Sequence, residues 1–509
     1  MEQNKSTTAK KNLANAFVDQ MRAGRDRELL TTTNGDSYTY GDAEAASARI
    51  ASALVDQGVQ AGDRVTVQVE KSPMALFLYL ACLRGGFVFH PLNTGYTSSE
   101  LAFFLADAEP ALVVCRPNDQ QLMSELAPTA RILTLDNDGS GSLADHSVSQ
   151  SPDFPDLDRS ANDLAALLYS SGTTGVPKGI MLTHRNLLSN AQTLVQAWQF
   201  SPADRLLHAL PIFHVHGLFV AIGCVLLSGA SMRWLPKFET QQVLNHLPEC
   251  SVMMGVPTYY TRMLSSEQLN TDTCQTMRLF ISGSAPLLSE TFIAFEDRTG
   301  HCILERYGMT ETNMNTSNPL NGERIPGTVG QALPGVEVRV MDDEGILTPA
   351  GDIGNLQVKG ENVFAGYWNL PDKTAEDFTS DGYFCTGDLA RIDENAYVTI
   401  VGRSKDLIIS GGLNIYPKEV ESILDDLHDV NESAVIGVPH PDFGETVVAV
   451  IVPEAGATPG ADAIDSEVRK LLAGFKCPRK YIFAEELPRN TMAKVQKAEL
   501  RSQYSKLFA

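Results

Sequence analysis

Residues 169–179 read YSSGTTGVPKG and concentrate groups that meet phosphate oxygens: the hydroxyls of Ser170, Ser171, Thr173 and Thr174, the Lys178 ammonium, and the yielding backbone of Gly172 and Gly175. This is not the P-loop of nucleoside triphosphatases, which needs GxxxxGK[ST]. Counting from Gly172, Pro177 stands before the lysine and Gly179 after it. The residues point to a hydroxyl-rich hairpin after a buried strand, with a plain surface loop of turn formers as the alternative. Four more stretches bear on the choice. YGMTETN (307–313) presents an aromatic ring, hydroxyls and a carboxylate, and TGDLA (386–390) sets Asp388 on a turn where it can accept both hydroxyls of a ribose. Residues 402–421 hold Arg403, Lys405, the pair Gly411 and Gly412, and a proline-capped helix, and LPRNTMAKVQK fills 487–497.

These groups need a framework. Short apolar or β-branched runs at 64–69, 111–115, 164–169, 206–209, 251–255, 279–282 and 302–305 alternate with amphipathic stretches such as 186–198 and 288–297. Strands separated by helices imply parallel sheets with crossovers, an α/β domain. Residues 136–163 read as a surface excursion, and the pattern turns β-rich from about residue 330. Strands at 433–438 and 447–452 with helices at 417–425 and 463–473 suggest a further small α+β domain. A chain of 509 residues exceeds one ordinary core. Its net charge of −22 would repel a phosphate backbone and excludes a nucleic-acid partner. Eight scattered cysteines without a CxxC pair argue for reduced thiols and against a zinc site. Residues 1–15 are polar, so no secretory signal is expected, and the longest apolar run, 217–230, falls short of the ~20 residues of a membrane span. That run reads as a buried helix in a soluble, cytoplasmic protein.

Taken together and in this order, the motifs resemble the adenylate-forming superfamily of acyl-CoA synthetases, luciferases and peptide-synthetase adenylation domains, over roughly residues 30–505. The resemblance implies an N-terminal adenylation domain (1–402), with mixed sheets sandwiched by helices and a β-rich subdomain. It also implies a hinge (403–405, with Lys405) and a small mobile C-terminal lid (406–509). A carboxylate would attack the α-phosphate of Mg·ATP, and the thiol of coenzyme A would then displace AMP. By motif position, Ser170, Ser171, Gly172, Thr173, Thr174, Gly175 and Lys178 would hold the β- and γ-phosphates, and Tyr307 would stack on adenine. Ser284, Ala285, Glu305 and Arg306 would line the ATP site, Thr310 would touch the α-phosphate, and Asp388 and Arg403 would bind ribose. Mg²⁺ would fall to Glu311 and Thr174, pantetheine to Gly411 and Gly412, and the adenylation step to Lys494. The chemistry agrees: an anion attacks a polyanion slowly unless cations and N–H donors stand ready at the α-phosphate. A lid lysine can supply that charge in one step and withdraw for the next. One departure is Ala493, where the family has glycine. Acetylation of Lys494 would remove its charge, which makes a lysine acetyltransferase a candidate partner.

HALPIFHVHGLFV (208–220), MGVPTYYTRML (254–264), MRLFISGSAPLL (277–288) and ERYGMTETNMNTSNP (305–319) are similar to malonyl-CoA synthetases within that superfamily. The second carboxylate of a diacid must meet a cation, because leaving it desolvated costs several kcal/mol. Arg262 after VPTYYT is the expected partner, against a plain helix-surface role. Arg278 competes, and Ser284 and His214 would add donors, His214 also at the reacting carboxylate. The resemblance places Val215 and Met309 as walls beside the α-carbon and Gly308 among the substrate-binding residues, so methylmalonate is an expected second substrate, since one methyl is rejected by only ~10–200-fold. His214 and His216, on a strand without a third ligand, read as pocket residues and not as a metal site. The alternatives are another short acid or a carrier-protein thiol in the same chemistry, and a non-catalytic metabolite-binding protein on the same fold.

Overall fold

The computed structural model describes residues 12–155, 159–170, 177–410, 413–441, 443–472, 474–490 and 494–508. The chain divides into two compact units, Met1–Val338 with Val358–Phe384, and Arg339–Gln357 with Cys385–Ala509.

The first unit contains two large sheets. One runs, strand by strand, Gln331–Ala332, Asn313–Ser317, Leu304–Met309, Leu279–Ser282, Val252–Gly255, Arg205–His208, Ser231–Trp234, Glu28–Thr32, Ser37–Thr39. Its six middle strands, from Leu304–Met309 to Glu28–Thr32, are parallel. Leu279–Ser282 and Val252–Gly255 are buried at every residue, as expected of parallel strands covered on both faces. From Arg205–His208 the chain steps to one neighbour, Ser231–Trp234, and then crosses to the other, Val252–Gly255. Such a reversal opens a crevice at the carboxyl ends of the strands, where ligands of open α/β sheets bind. Residues 209–217, 256–262, 283–288 and 310–312 all leave the sheet at that end, which gathers four of the sequence motifs.

The other sheet runs Gly366–Tyr367, Lys178–Thr183, Leu164–Ser170, Val88–Pro91, Arg64–Gln68, Leu112–Cys115, Arg131–Thr134. Leu164–Ser170 and Lys178–Thr183 pair antiparallel, with Ser170 opposite Lys178, so the phosphate-loop sequence closes a hairpin. Residues 171–176, and with them Ser171, Gly172, Thr173, Thr174 and Gly175, lie outside the described residues. Thr183 ends the returning strand and caps helix His184–Ala197 by a box with Asn186. The apolar run 217–230 is a buried helical segment, His216–Ala221 with Ile222–Ser228. Residues 136–163 include a short helix, Ser142–Val148, anchored by buried Leu143.

In the second unit, Phe384–Ile392 and Val398–Arg403 pair antiparallel within a four-stranded sheet. Beyond it, the edge strand Val430–His440 pairs along its length with Gly444–Pro453, which also pairs with Ile408–Ser410 and Lys480–Phe483 in a five-stranded sheet. Alternate residues face two cores. Val435, Val447, Ala449 and Ile451 pack with helices Pro417–Asp425 and Ala461–Leu471, and Ile436, Val448 and Val450 pack with Leu487 and Leu500. This is the small α+β fold expected near the C-terminus.

Candidate active site

Arg306 is 2% exposed, on the strand Leu304–Met309. Its guanidinium occupies the space a side chain at Gly283 would need, with Cζ 2.4 Å from the position of a Cβ there. Nε and Nη2 are enclosed and find no hydrogen-bond partner among the described residues. Burial pulls the Arg306 pKa down to about 10, with Tyr260 and Glu305 opposing, so the group remains cationic at neutral pH. A buried cation without acceptors is costly, and native structures keep one where an anion is to be met.

The surroundings share this character. Ser282 Oγ and His216 Nε2 are likewise enclosed without a partner among the described residues. Ser284 holds a left-handed backbone, φ +71°, and its Oγ lies 3.3 Å from His216 Nδ1. A non-glycine residue held there costs ~1–3 kcal/mol, strain that clusters at functional sites. Burial first, then the Arg306 charge, hold the His216 pKa well below the ordinary value, so this imidazole is neutral and offers a donor and an acceptor.

His214 and His216 do not share a strand face. The strand stops at His208, Val215 is 7% exposed, and His216 opens a wide helical turn. The loop is held from beneath. His208 Nε2 stands 2.9 Å from the Gly217 carbonyl, and Lys71 Nζ donates to the carbonyls of His208 and Leu235 and contacts His208 Nδ1. A Cβ on Gly217 would meet the Pro211 carbonyl at 1.9 Å, so only glycine closes this turn.

The motif 307–313 forms a β-turn hairpin between Leu304–Met309 and Asn313–Ser317, so the strand reaches four residues beyond its expected end. Gly308 is required, since its Cβ would lie 1.9 Å from the Asn313 carbonyl. Tyr307, Met309 and Thr310 are half-buried, and Glu311 is 7% exposed at the turn. Glu305 Oε1 accepts from the backbone of Leu287, two residues after Ala285, and so braces the 283–288 loop. Ser170 and Lys178 flank the hairpin loop, with Lys178 Nζ 4.9 Å from the Tyr367 ring centre. The Tyr169 hydroxyl donates to Asp107 at 2.6 Å and anchors the hairpin base. Among the described residues no three histidine, cysteine, aspartate or glutamate side chains gather as a metal cluster. A lone carboxylate such as that of Glu311 is the kind of donor Mg²⁺ takes, its shell being completed by phosphate oxygens and water.

The two expected arginines fare differently. Arg262 is exposed on helix Pro257–Leu264, one turn from Tyr259, and no ion pair to it is formed among the described residues. The Arg278 guanidinium is engaged within the fold. It donates to both oxygens of the buried Asp204, at 2.7 and 3.0 Å, and to the carbonyls of Trp198 and Gln199.

In the second unit, Asp388 lies within the strand Phe384–Ile392 and not on a free turn. Gly387, at φ +72°, and a register shift after Leu389 bend the strand there, which explains its turn-like sequence. Asp388 is 4% exposed, faces Arg403 across the ladder and forms an ion pair with it. Lys405 sits in the 3-10 turn Ser404–Asp406, its pKa lowered chiefly by burial. Gly411, Gly412 and Ala493 lie outside the described residues. Lys494 is exposed on a narrow hairpin. The Asn490 N–H donates to the Lys494 carbonyl and the Lys494 N–H to Asn490 Oδ1, both at 2.9 Å.

Sequence profiles place these features. The AMP-binding enzyme profile matches residues 17–368 and the AMP-binding enzyme C-terminal domain profile residues 419–494, so the chain belongs to the AMP-binding enzymes. ATP-bound MatB from Rhodopseudomonas palustris superposes with a TM-score of 0.96 at 52% identity, covering 98% of this chain and 100% of that one. The malonate–CoA ligase of Arabidopsis thaliana is 34% identical over 524 residues, 93% of this chain and 86% of the relative. A feruloyl-CoA synthase of an Amycolatopsis species is equally 34% identical, over 475 residues, 92% of this chain and 94% of the relative.

Proposed function

We propose that the chain is an AMP-forming malonate:CoA ligase, and the observation that carries the choice of acid is the buried guanidinium of Arg306. Relatives named for malonate and for an aromatic acid are equally identical to it, so overall identity does not select the substrate. An aromatic or alkyl acid would leave Arg306 Nε and Nη2 without acceptors, whereas the second carboxylate of malonate supplies two. His216 adds a hydrogen-bonding group beside it, and Arg262 would serve as an outer cation.

In the first step the other carboxylate forms its bond to the α-phosphorus as the bond to pyrophosphate breaks. Lys494, Thr310 and the loop of residues 170–178 would neutralise the charge that moves onto the phosphate oxygens. Glu311, with Thr174, would hold Mg²⁺, which when bound supplies further charge at the phosphates. His214 would orient the attacking carboxylate. Tyr307 would stack on adenine, and Asp388 would accept the ribose hydroxyls with Arg403 fixing its carboxylate. In the second step the thiolate of coenzyme A attacks the acyl carbonyl and AMP departs. The lid, taken as residues 406–509, would turn about 403–405, with Gly411 and Gly412 beside the pantetheine arm. Val215 and Met309 would set how well a methyl on the α-carbon is accepted, with methylmalonate as the second substrate.

No helix among the described residues is long and apolar enough to cross a membrane. No disulfide is formed among the described residues, which supports a reducing compartment such as the cytoplasm. A CoA-dependent AMP-release assay over malonate, methylmalonate, succinate, acetate and propionate tests the reading. Malonate is expected to lead. Acetate or propionate as the best acid would contradict it.

A further inference from the structure

The residues flanking Lys494 form a device that the adenylation motif alone does not describe. Arg489 and Val495 form an antiparallel bridge, and the Gln496 N–H donates to the Pro488 carbonyl at 2.8 Å, so the arms 488–490 and 494–496 are paired. Leu487 and Leu500, at 3% and 2% exposed, root the two ends in the core. Outside the hairpin stand two ion pairs. Arg489 pairs with Glu432 on strand Val430–His440, and Lys497 pairs with Glu421 on helix Pro417–Asp425.

The two pairs are unequal. The Arg489 and Glu432 side chains are 32% and 27% exposed, a setting in which an ion pair contributes little. Glu421 is 8% exposed, and its Oε1 also accepts the Val435 N–H at 2.8 Å. One carboxylate thus joins the helix, the edge strand Val430–His440 and the segment that carries Lys494. Lys497 is the first residue of helix Lys497–Tyr504, where the helix dipole disfavours a cation, so its place there is explained by Glu421 and not by the helix. One turn on, Arg501 donates to Asp406 at 2.9 Å and ties the same helix to the turn that contains Lys405.

We propose that Glu421 and Lys497 are positioning residues for Lys494: the pair fixes the returning arm of the hairpin, three residues from the adenylation lysine, and so sets its reach. The proposal rests on the reading of Lys494 as the cation of the first half-reaction. Only that step uses it, so the pair matters for adenylation and not for thioester formation.

The test separates the half-reactions in the full-length enzyme. Glu421→Gln and Lys497→Met are expected to lower malonate-dependent ATP–pyrophosphate exchange by about 10–100-fold, the scale of a catalytic group displaced by about 1 Å. CoA thioester formation from supplied malonyl-adenylate should stay within twofold of wild type, and Lys497→Arg, which keeps the pair, should restore exchange. Amide hydrogen exchange of the arms 488–490 and 494–496, read without any acid, should accelerate in both lowered variants. Equal losses in the two half-reactions would reduce the pair to a fold-stability role and overturn the proposal. So would unchanged pyrophosphate exchange, or unchanged amide protection of the hairpin. A wild-type enzyme inactive with malonate would instead count against the acid assignment, and the amide measurement would still decide the positioning claim.

Discussion

Arg306 is enclosed on a strand with Gly283, His216 and Tyr260 around it, whereas Lys494 stands in solvent on a hairpin tied down from outside. The first cation is prepared by burial: its hydration is lost when the chain folds, so a carboxylate that reaches it finds donors already stripped of water. The second is prepared by tethering, which limits where it can go without removing it from water. The contrast matches the roles proposed for the two residues. A group that chooses between acids gains from a low-dielectric site, because there a missing charge is penalised most. A group that serves one half-reaction and leaves for the next cannot be buried in either.

The comparison is broken most directly at Arg306. Arg306→Met should lower malonate activation by ~10²–10³-fold, the cost of removing one partner of a buried charge pair. Its thermal stability should be unchanged or raised, since a buried unpaired ion replaced by an apolar side chain of similar volume is neutral or stabilising. Loss of stability in that variant would make Arg306 a structural cation. Lys494→Ala should cost adenylation ~10²–10³-fold, the range for a lost group that stabilises transition-state charge, and leave thioester formation from malonyl-adenylate intact. Equal damage to both steps would contradict the tethered, single-step role.

Smaller effects sharpen the division among the arginines. Asp204→Ala, which strands Arg278, should destabilise the fold by ~2–4 kcal/mol in denaturant unfolding while the order of acids stays the same. A changed acid preference would return Arg278 to the site. Arg262→Ala should raise the KM for malonate only a few-fold, because an exposed cation contributes ~1 kcal/mol or less. A loss as large as that of Arg306→Met would reverse their ranking.

The sequence was legible where a local rule applies. The buried strands at 252–255 and 279–282 announced themselves as short apolar runs, and helix Pro417–Asp425 by its proline and amphipathic spacing. The hairpin of Leu164–Ser170 and Lys178–Thr183 was readable from its glycines and hydroxyls. Asp388 was misread as a turn residue because Gly387 bends a strand without ending it. The contrast between arginines was not legible, because it depends on contacts distant in sequence. Arg278 and Asp204 are 74 residues apart, and nothing local to RLFISG shows that its guanidinium is taken. Arg306 in LERYGM looks like any basic residue between a glutamate and a tyrosine. Only the fold shows that Gly283 leaves room for it and that no acceptor faces Nε or Nη2 among the described residues. Glu421 and Lys497 were hidden in the same way, by a separation of 76 positions that the five-stranded sheet closes.

Pyrophosphate exchange by wild type and Arg306→Met, run side by side with malonate and propionate, tests the central claim most directly. Buried-cation selection predicts that wild type strongly prefers malonate and that the variant loses this preference while remaining folded, with propionate exchange retained or improved. A folded Arg306→Met enzyme that still prefers malonate by the wild-type margin would contradict it and move the choice of acid elsewhere in the site.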